Sequence, residues 1–195
     1  TEEVIKEMSA SSPQISLLSL SANSGKAEAV RRGFVAAFDK GYEYVGFWDA
    51  DLATPLAAIG SFLQEFEREG QICVVLGSRV KLLGRTIERN PFRHYIGRVF
   101  ATCVSLCLNL GVYDTQCGAK IFRNNGALRD CFTERFRSKW IFDVEILARL
   151  KAAQIKLEKQ VIEVPLMEWR DIAGSKLKPN DFFVAIGELA SLYFR

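Results

Sequence analysis

Histidine is nearly missing from this chain of 195 residues: His94 stands alone. A metal site built from several histidines is thereby excluded, and a Ser–His–Asp triad would have to rest on that one residue. Five cysteines, at positions 73, 103, 107, 117 and 131, form no Cys-x-x-Cys pair, which argues against zinc. Cys103 and Cys107 lie one helical turn apart in an apolar run and read as small core residues in a reducing compartment. Long apolar runs are also absent. The most apolar stretch, "VFATCVSLCLNLGV" (99–112), falls short of the roughly 20 residues a spanning helix needs, so neither a spanning helix nor a signal peptide is expected. A net charge of +3 is too small to argue for nucleic acid.

What remains is an ordinary globular composition, 49% apolar and 25% charged, without repeats or low-complexity tracts, which suits one α/β domain over 1–195. The charge is unevenly placed. Between Arg79 and Arg98, six bases (Arg79, Lys81, Arg85, Arg89, Arg93, Arg98) face a single acid, Glu88. Such a cluster suits a phosphate-bearing ligand or an anionic membrane surface; a solvated basic helix face has the same composition.

Apolar spacing then divides the chain. "QISLLSL" (14–20) reads as a buried strand and "GKAEAVRRGFVAAFDKG" (25–41) as a helix stopped at Gly41. "YEYVGFW" is a second strand, after which Thr54 as N-cap and Pro55 as first helical residue should open a helix to about Glu69. "QICVVLGS" (71–78) is a third strand, and the alternation predicts a parallel sheet with crossover helices. A long helix is expected from about Pro91 to Leu110, strands at "GAKIFR" and "KLEKQVIEVPL", and a helix at "FDVEILARLKAA". The terminal "DFFVAIGELASLYF", with Glu188 in its middle, is expected to dock on the core rather than lie in a membrane interface. The opening "TEEVIKEM" reads as a helix with no strand ahead of it. An α/β nucleotide-binding unit normally starts on a strand, so a first strand and its loop are expected to be missing from this chain.

The second strand ends abruptly in "WDADLATP" (48–55). Residues two apart on a strand share a face, so Asp49 and Asp51 can converge on one object, at the end where open parallel sheets bind ligands. Two such carboxylates repel unless a cation neutralises them, and Mg²⁺ or Mn²⁺ would do so while leaving positions for phosphates. A solvent-exposed turn in which Asp51 helps to cap the next helix is the plainer alternative. Upstream, "LSANSGKAEAVRRG" (20–33) brings Lys26 and the amides around Asn23 and Gly25 to a helix start where an anion could sit, or is simply a strand-to-helix turn. It is not a Walker A loop.

Taken in order, "NSGKAEAVRRGF", "FWDADLATP", "VVLGSR", the arginine-rich segment, "DTQCGAKIFR", "WIFDVEIL" and "VPLMEWRDIAGSKL" resemble the family-2 glycosyltransferases with a GT-A fold. The likeness runs from about residue 1 to 178 and is strongest to the branch that glycosylates dolichyl and bacterial polyprenyl phosphates. It implies a GT-A (Rossmann-like) three-layer α/β sandwich with a mostly parallel central sheet. It also implies inverting transfer of a sugar, glucose first, from a UDP-sugar to a polyprenyl phosphate, at the cytoplasmic face of a membrane. By the same resemblance Asn23, Gly25, Lys26, Asp49 and Asp51 hold the nucleotide-sugar. Asp49 and Asp51 hold Mg²⁺ or Mn²⁺, and Arg79, Arg89, Arg93 and Lys176 hold the acceptor phosphate. Asp51, Arg89 and Asp114 are the candidate catalytic residues, Asp114 as base or sugar-orienting carboxylate, or else as a turn aspartate bonding its own backbone. Gln116 could orient the sugar or satisfy its loop. Asp143 and Glu145 suit the start of a helix, and Trp140 could stack on a sugar or, more simply, fill the core. Ala53 stands where related mannose synthases often carry glutamine, which argues mildly against mannose. The implied family's Pro-x-x-Asn-Glu-like loop and Asp-Asp-Gly-Ser turn are not in this sequence, in keeping with the strand expected to be missing. Two rivals stand beside this reading: a transferase acting on a polysaccharide or small-molecule hydroxyl, and a non-catalytic binding module of the same fold.

Overall fold

The computed structural model describes residues 2–172 and 179–193. In chain order the elements are α1 (Glu2–Ser11), α2 (Gly25–Asp39), β1 (Tyr44–Trp48), α3 (Ala58–Arg68), β2 (Val74–Ser78), β3 (Thr86–Glu88) and α4 (Pro91–Leu108). They continue with β4 (Ala119–Arg123), α5 (Gly126–Thr133), α6 (Phe142–Ala152), α7 (Leu157–Gln160), β5 (Val161–Pro165), β6 (Glu168–Arg170) and α8 (Pro179–Tyr193).

The central sheet has the order β1-β4-β2-β5. β1, β2 and β5 run the same way, and β4 runs against them between β1 and β2, so the sheet is mixed with three of its four strands codirectional. β2, at the centre, is apolar and fully buried because both its faces are covered. Alternation sorts the strands' side chains: Val45, Val74, Leu76 and Phe122 join a core with α2, α4, α5 and α6, while Val75, Ala119 and Ile121 meet Phe62 and Phe66 of α3. The first core is aromatic at its centre, where Phe34 stacks flat on Phe132 with centroids 4.2 Å apart. The second is closed by Ile87 and Trp169 from the small β3-β6 pair. Helix, sheet and helix form three layers.

Three local expectations change; in the expected strand "KLEKQVIEVPL", Leu157–Gln160 form the short helix α7 and only Val161–Pro165 pair as β5. Residues 14–20 pair with no strand among the described residues and are half-buried or exposed; an extended segment without a neighbour to share its ladder is not a strand. Thr54 is not an N-cap. Its buried carbonyl accepts from Trp48 Nε1 at 3.0 Å, and Pro55–Ala57 form turns before α3 begins at Ala58. α4 starts as its sequence dictates: Asn90 accepts from the amides of Phe92 and Arg93, with Pro91 first in the helix. It ends at Asn109, in the left-handed region at φ 46°. Leu189 of α8 packs into the core, and no helix among the described residues is long and apolar enough to cross a membrane.

Candidate active site

A cleft of about 990 Å³ opens at the end of the sheet where β1 and β2 finish. Gly25, Lys26, Asp49, Asp51, Arg79, Arg89, Arg93 and Asp114 all line it, so residues spread over ninety positions of sequence share one space. Asn23 does not line it: its Oδ1 accepts from the Gly25 amide at 3.1 Å and shapes the loop into α2. Lys176 lies outside the described residues.

The acidic side is set by the turn after β1. The Asp49 amide donates to Gly118 O, and the Leu52 amide donates to Asp49 O at 3.0 Å. That closure puts Leu52 at φ 54°, a conformation costing a side-chain residue about 1–2 kcal/mol. Asp51 Oδ1 accepts from the Ala53 amide, leaving Oδ2 without a protein partner among the described residues. Asp49 pairs with Lys26 Nζ at 2.6 Å. Its carboxylate lies directly against Gly118, where any Cβ would overlap it. Only glycine at 118 admits Asp49 to this position.

The basic side is less uniform than its composition suggests. Arg79 is locked to the buried Asp114, with Nε at 2.6 Å and Nη2 at 2.7 Å, and its own amide donates to the same carboxylate. Burial pushes the Asp114 carboxyl upward, but the charge and hydrogen bonds of Arg79, helped by the charge of Arg89, outweigh it and bring the pKa down to about 2. A carboxylate so held is a poor proton acceptor at neutral pH. Arg98 stacks on Tyr113 with its guanidinium 3.6 Å from the ring centroid and donates to Tyr113 O. Arg93 pairs with Asp171 at 3.1 Å near the surface. Lys81 and Arg85 do not reach the cleft.

Arg89 differs from all of these. It is half-buried, and its guanidinium makes no hydrogen bond or ion pair among the described residues. It rests on Gly97 of α4, where a Cβ would come within 2.6 Å of Nη2. Burial and the neighbouring charge of Arg79 both disfavour its charged form and lower its pKa.

Further polar groups meet the same space. Thr115 Oγ1 and Gln116 Nε2 are buried without a hydrogen-bond partner among the described residues, and both residues line the cleft. Asp143 also lines the cleft, and its Oδ1 pairs at 2.5 Å with Nζ of Lys120, which lies behind it; both are nearly fully buried. The sequence reading missed Lys120; a lysine within the apolar "AKIFR" strand, beside "DTQCG", was the available signal. Glu145 accepts from the amides of Arg137 and Ser138 and pairs with Arg149, so it holds the loop before α6 rather than facing ligand. Trp140 is partly exposed at the cleft wall, not in the core, and Glu188 of α8 accepts from the amides of Lys139, Trp140 and Ile141.

Against known proteins, the model of the family "Glycosyl transferase family 2" matches residues 1–127. A dolichyl-phosphate beta-glucosyltransferase from Trichomonas vaginalis, ALG5C, is 31% identical over 201 residues, covering 100% of this chain and 57% of the relative. The dolichyl-phosphate beta-glucosyltransferase of Dictyostelium discoideum is 34% identical over 173 residues, covering 86% and 50%, and that of Mus musculus 31% over 184 residues, covering 91% and 53%. The chain spans about half the length of the curated relatives it matches.

Proposed function

The chain belongs to glycosyl transferase family 2, and from that footing we propose that its cleft moves glucose from UDP-glucose to a polyprenyl (dolichyl-type) phosphate with inversion at the anomeric carbon. The observation that carries this reading is Arg89. A half-buried guanidinium with no hydrogen bond or ion pair, offset only by the more distant charges of Asp114 and Asp171, asks for an anionic ligand, since desolvation penalises a charge left without a direct partner. Across the same cleft stand two carboxylates and Lys26, the arrangement a nucleoside diphosphate needs. The relatives named above as dolichyl-phosphate glucosyltransferases support the same acceptor.

On the acceptor side a phosphate monoester, with a second pKa of about 6, is mostly dianionic at neutral pH. One of its oxygens attacks the anomeric carbon as the bond from that carbon to the diphosphate breaks. UDP leaves, a phosphodiester forms, and no proton has to be removed. That fits a site whose Asp114 is tied to Arg79 and held to about 2. Arg89 receives the phosphate directly, Arg93 adds a second charge once Asp171 yields, and Arg79 is a fixed wall that keeps Nη1 at most for the ligand.

On the donor side Asp49 and Asp51 suit Mg²⁺ or Mn²⁺. They are hard oxygen donors, and the described residues contain no group of three or more His, Cys, Asp or Glu that could cage an ion, so phosphate and water would complete its shell. When bound, such an ion supplies charge neutralisation to the departing diphosphate. Lys26, now on Asp49, is placed to turn to the diphosphate as the donor enters. The acceptor lives in a bilayer, so the cleft works at a membrane surface. α4 presents Phe92, Tyr95 and Val99 beside the cleft, 66%, 70% and 56% exposed, and Phe92 lines it. Five free thiols suit the cytoplasmic side.

The test is transfer from UDP-[¹⁴C]glucose in the presence of Mn²⁺ and a polyprenyl phosphate. Label should enter an organic-extractable, acid-labile product and should be abolished by Asp51→Asn with the melting temperature within a few degrees of wild type. Label confined to water-soluble glycan, or none above background, overturns the reading.

A further inference from the structure

Asp143, which lines the cleft, forms an ion pair with Lys120 that neither the acceptor nor the diphosphate requires. Lys120 lies on β4 and Asp143 at the start of α6, 2% and 6% exposed in their side chains. Lys120 Nζ is fixed twice, by Asp143 Oδ1 at 2.5 Å and by the Cys117 carbonyl. Asp143 Oδ2 makes no hydrogen bond among the described residues, and it is not among the fully enclosed unpartnered atoms, so it is left for the cleft that Asp143 lines.

This pair sits beside the acidic turn. The ring of Phe47 lies 5.1 Å from Lys120 Nζ and 5.8 Å from Lys26 Nζ, and Lys26 is itself the partner of Asp49. The Asp49–Lys26 and Lys120–Asp143 pairs are therefore one phenyl ring apart. An acceptor oxygen thus remains unused in the cleft beside the Asp49 turn.

We propose that Asp143 Oδ2 accepts a hydroxyl of the transferred sugar, with Lys120 as the positioning residue that fixes the carboxylate. The ligand class is a neutral hexose carried on a nucleoside diphosphate. A buried carboxylate is matched by hydroxyl donors, and leaving it unmatched rejects a donor that lacks them. A fixed partner on Oδ1 keeps Oδ2 aimed, as a preorganised contact requires. This inference rests on the reading of the cleft as a nucleotide-sugar site.

Calorimetric titration of UDP-glucose and of UDP, each with Mn²⁺, separates the two ideas. Wild type should bind UDP-glucose more tightly than UDP. In Asp143→Asn the UDP-glucose affinity should fall by at least about tenfold while UDP affinity stays within about twofold. Lys120→Met should show the same one-sided loss. Should Asp143→Asn fail to fold because Lys120 is left unpaired, the double variant Lys120→Met/Asp143→Asn removes both charges and should give the same split. Equal losses for both ligands, or no loss for either, make the pair merely structural and overturn the proposal while leaving the nucleotide-sugar reading standing. A wild-type protein that binds neither ligand overturns both.

Discussion

Asp114 and Arg79 stand thirty-five residues apart in sequence, yet the buried Asp114 carboxyl keeps its charge because of Arg79. The Asp114 carboxyl is held at about 2, below its ordinary value, so folding favours its ionised form. Its contribution to stability is complete above the unfolded pKa of about 4 and is lost as pH falls through the folded value. Urea melts should therefore lose part of their midpoint between about pH 4 and pH 2, and Asp114→Asn should flatten that part. At neutral pH the same variant should cost about 3–5 kcal/mol, since Arg79 is left buried and unpaired. A loss under 1 kcal/mol would mean that water replaces the carboxylate. At this scale the sequence was readable only in part. Asp49 and Asp51 stood out by spacing and end-of-strand position, and Arg89 by membership of a basic cluster. Which of six bases would stay unpaired was not readable, because Asp114, Asp171 and Tyr113 reach Arg79, Arg93 and Arg98 only after folding.

Among elements, α4 does most to arrange the basic side of the cleft. Its Gly97 leaves the space in which the Arg89 guanidinium rests. Gly97→Ala should improve the helix by up to about 1 kcal/mol by propensity, because the atom it meets is the end of a flexible side chain. It should nonetheless raise the apparent KM for polyprenyl phosphate several-fold by displacing that guanidinium. Thermal melts together with acceptor titrations check it, and an unchanged acceptor KM would detach Gly97 from Arg89. Periodicity located this helix, α2, α6 and strands β1, β2 and β4 well, because apolar spacing is a local property. It misplaced residues 14–20 and the start of α3, where a missing pairing partner and the Trp48–Thr54 hydrogen bond, both non-local, decide the outcome. The antiparallel insertion of β4 between β1 and β2 was equally illegible, since strand order is written in tertiary packing.

Across the whole molecule the cleft joins a carboxylate side, a guanidinium side and an apolar rim on α4. A lipid phosphate approaching from a membrane would meet the rim first and Arg89 next. Flotation with vesicles containing polyprenyl phosphate should recover wild type, and the double variant Tyr95→Ser/Val99→Ser should float at least several-fold less while keeping its affinity for UDP-glucose. Equal recovery would move membrane contact away from α4.

The central claim is that Arg89, alone among the cleft's described arginines in having no partner, receives the acceptor phosphate while the Asp49–Asp51 turn serves the donor. Steady-state kinetics of Arg89→Ala, with each substrate varied in turn, test it most directly. The KM for polyprenyl phosphate should rise about tenfold or more with that for UDP-glucose within about twofold of wild type. Equal increases in both, or an effect confined to UDP-glucose, would contradict the account.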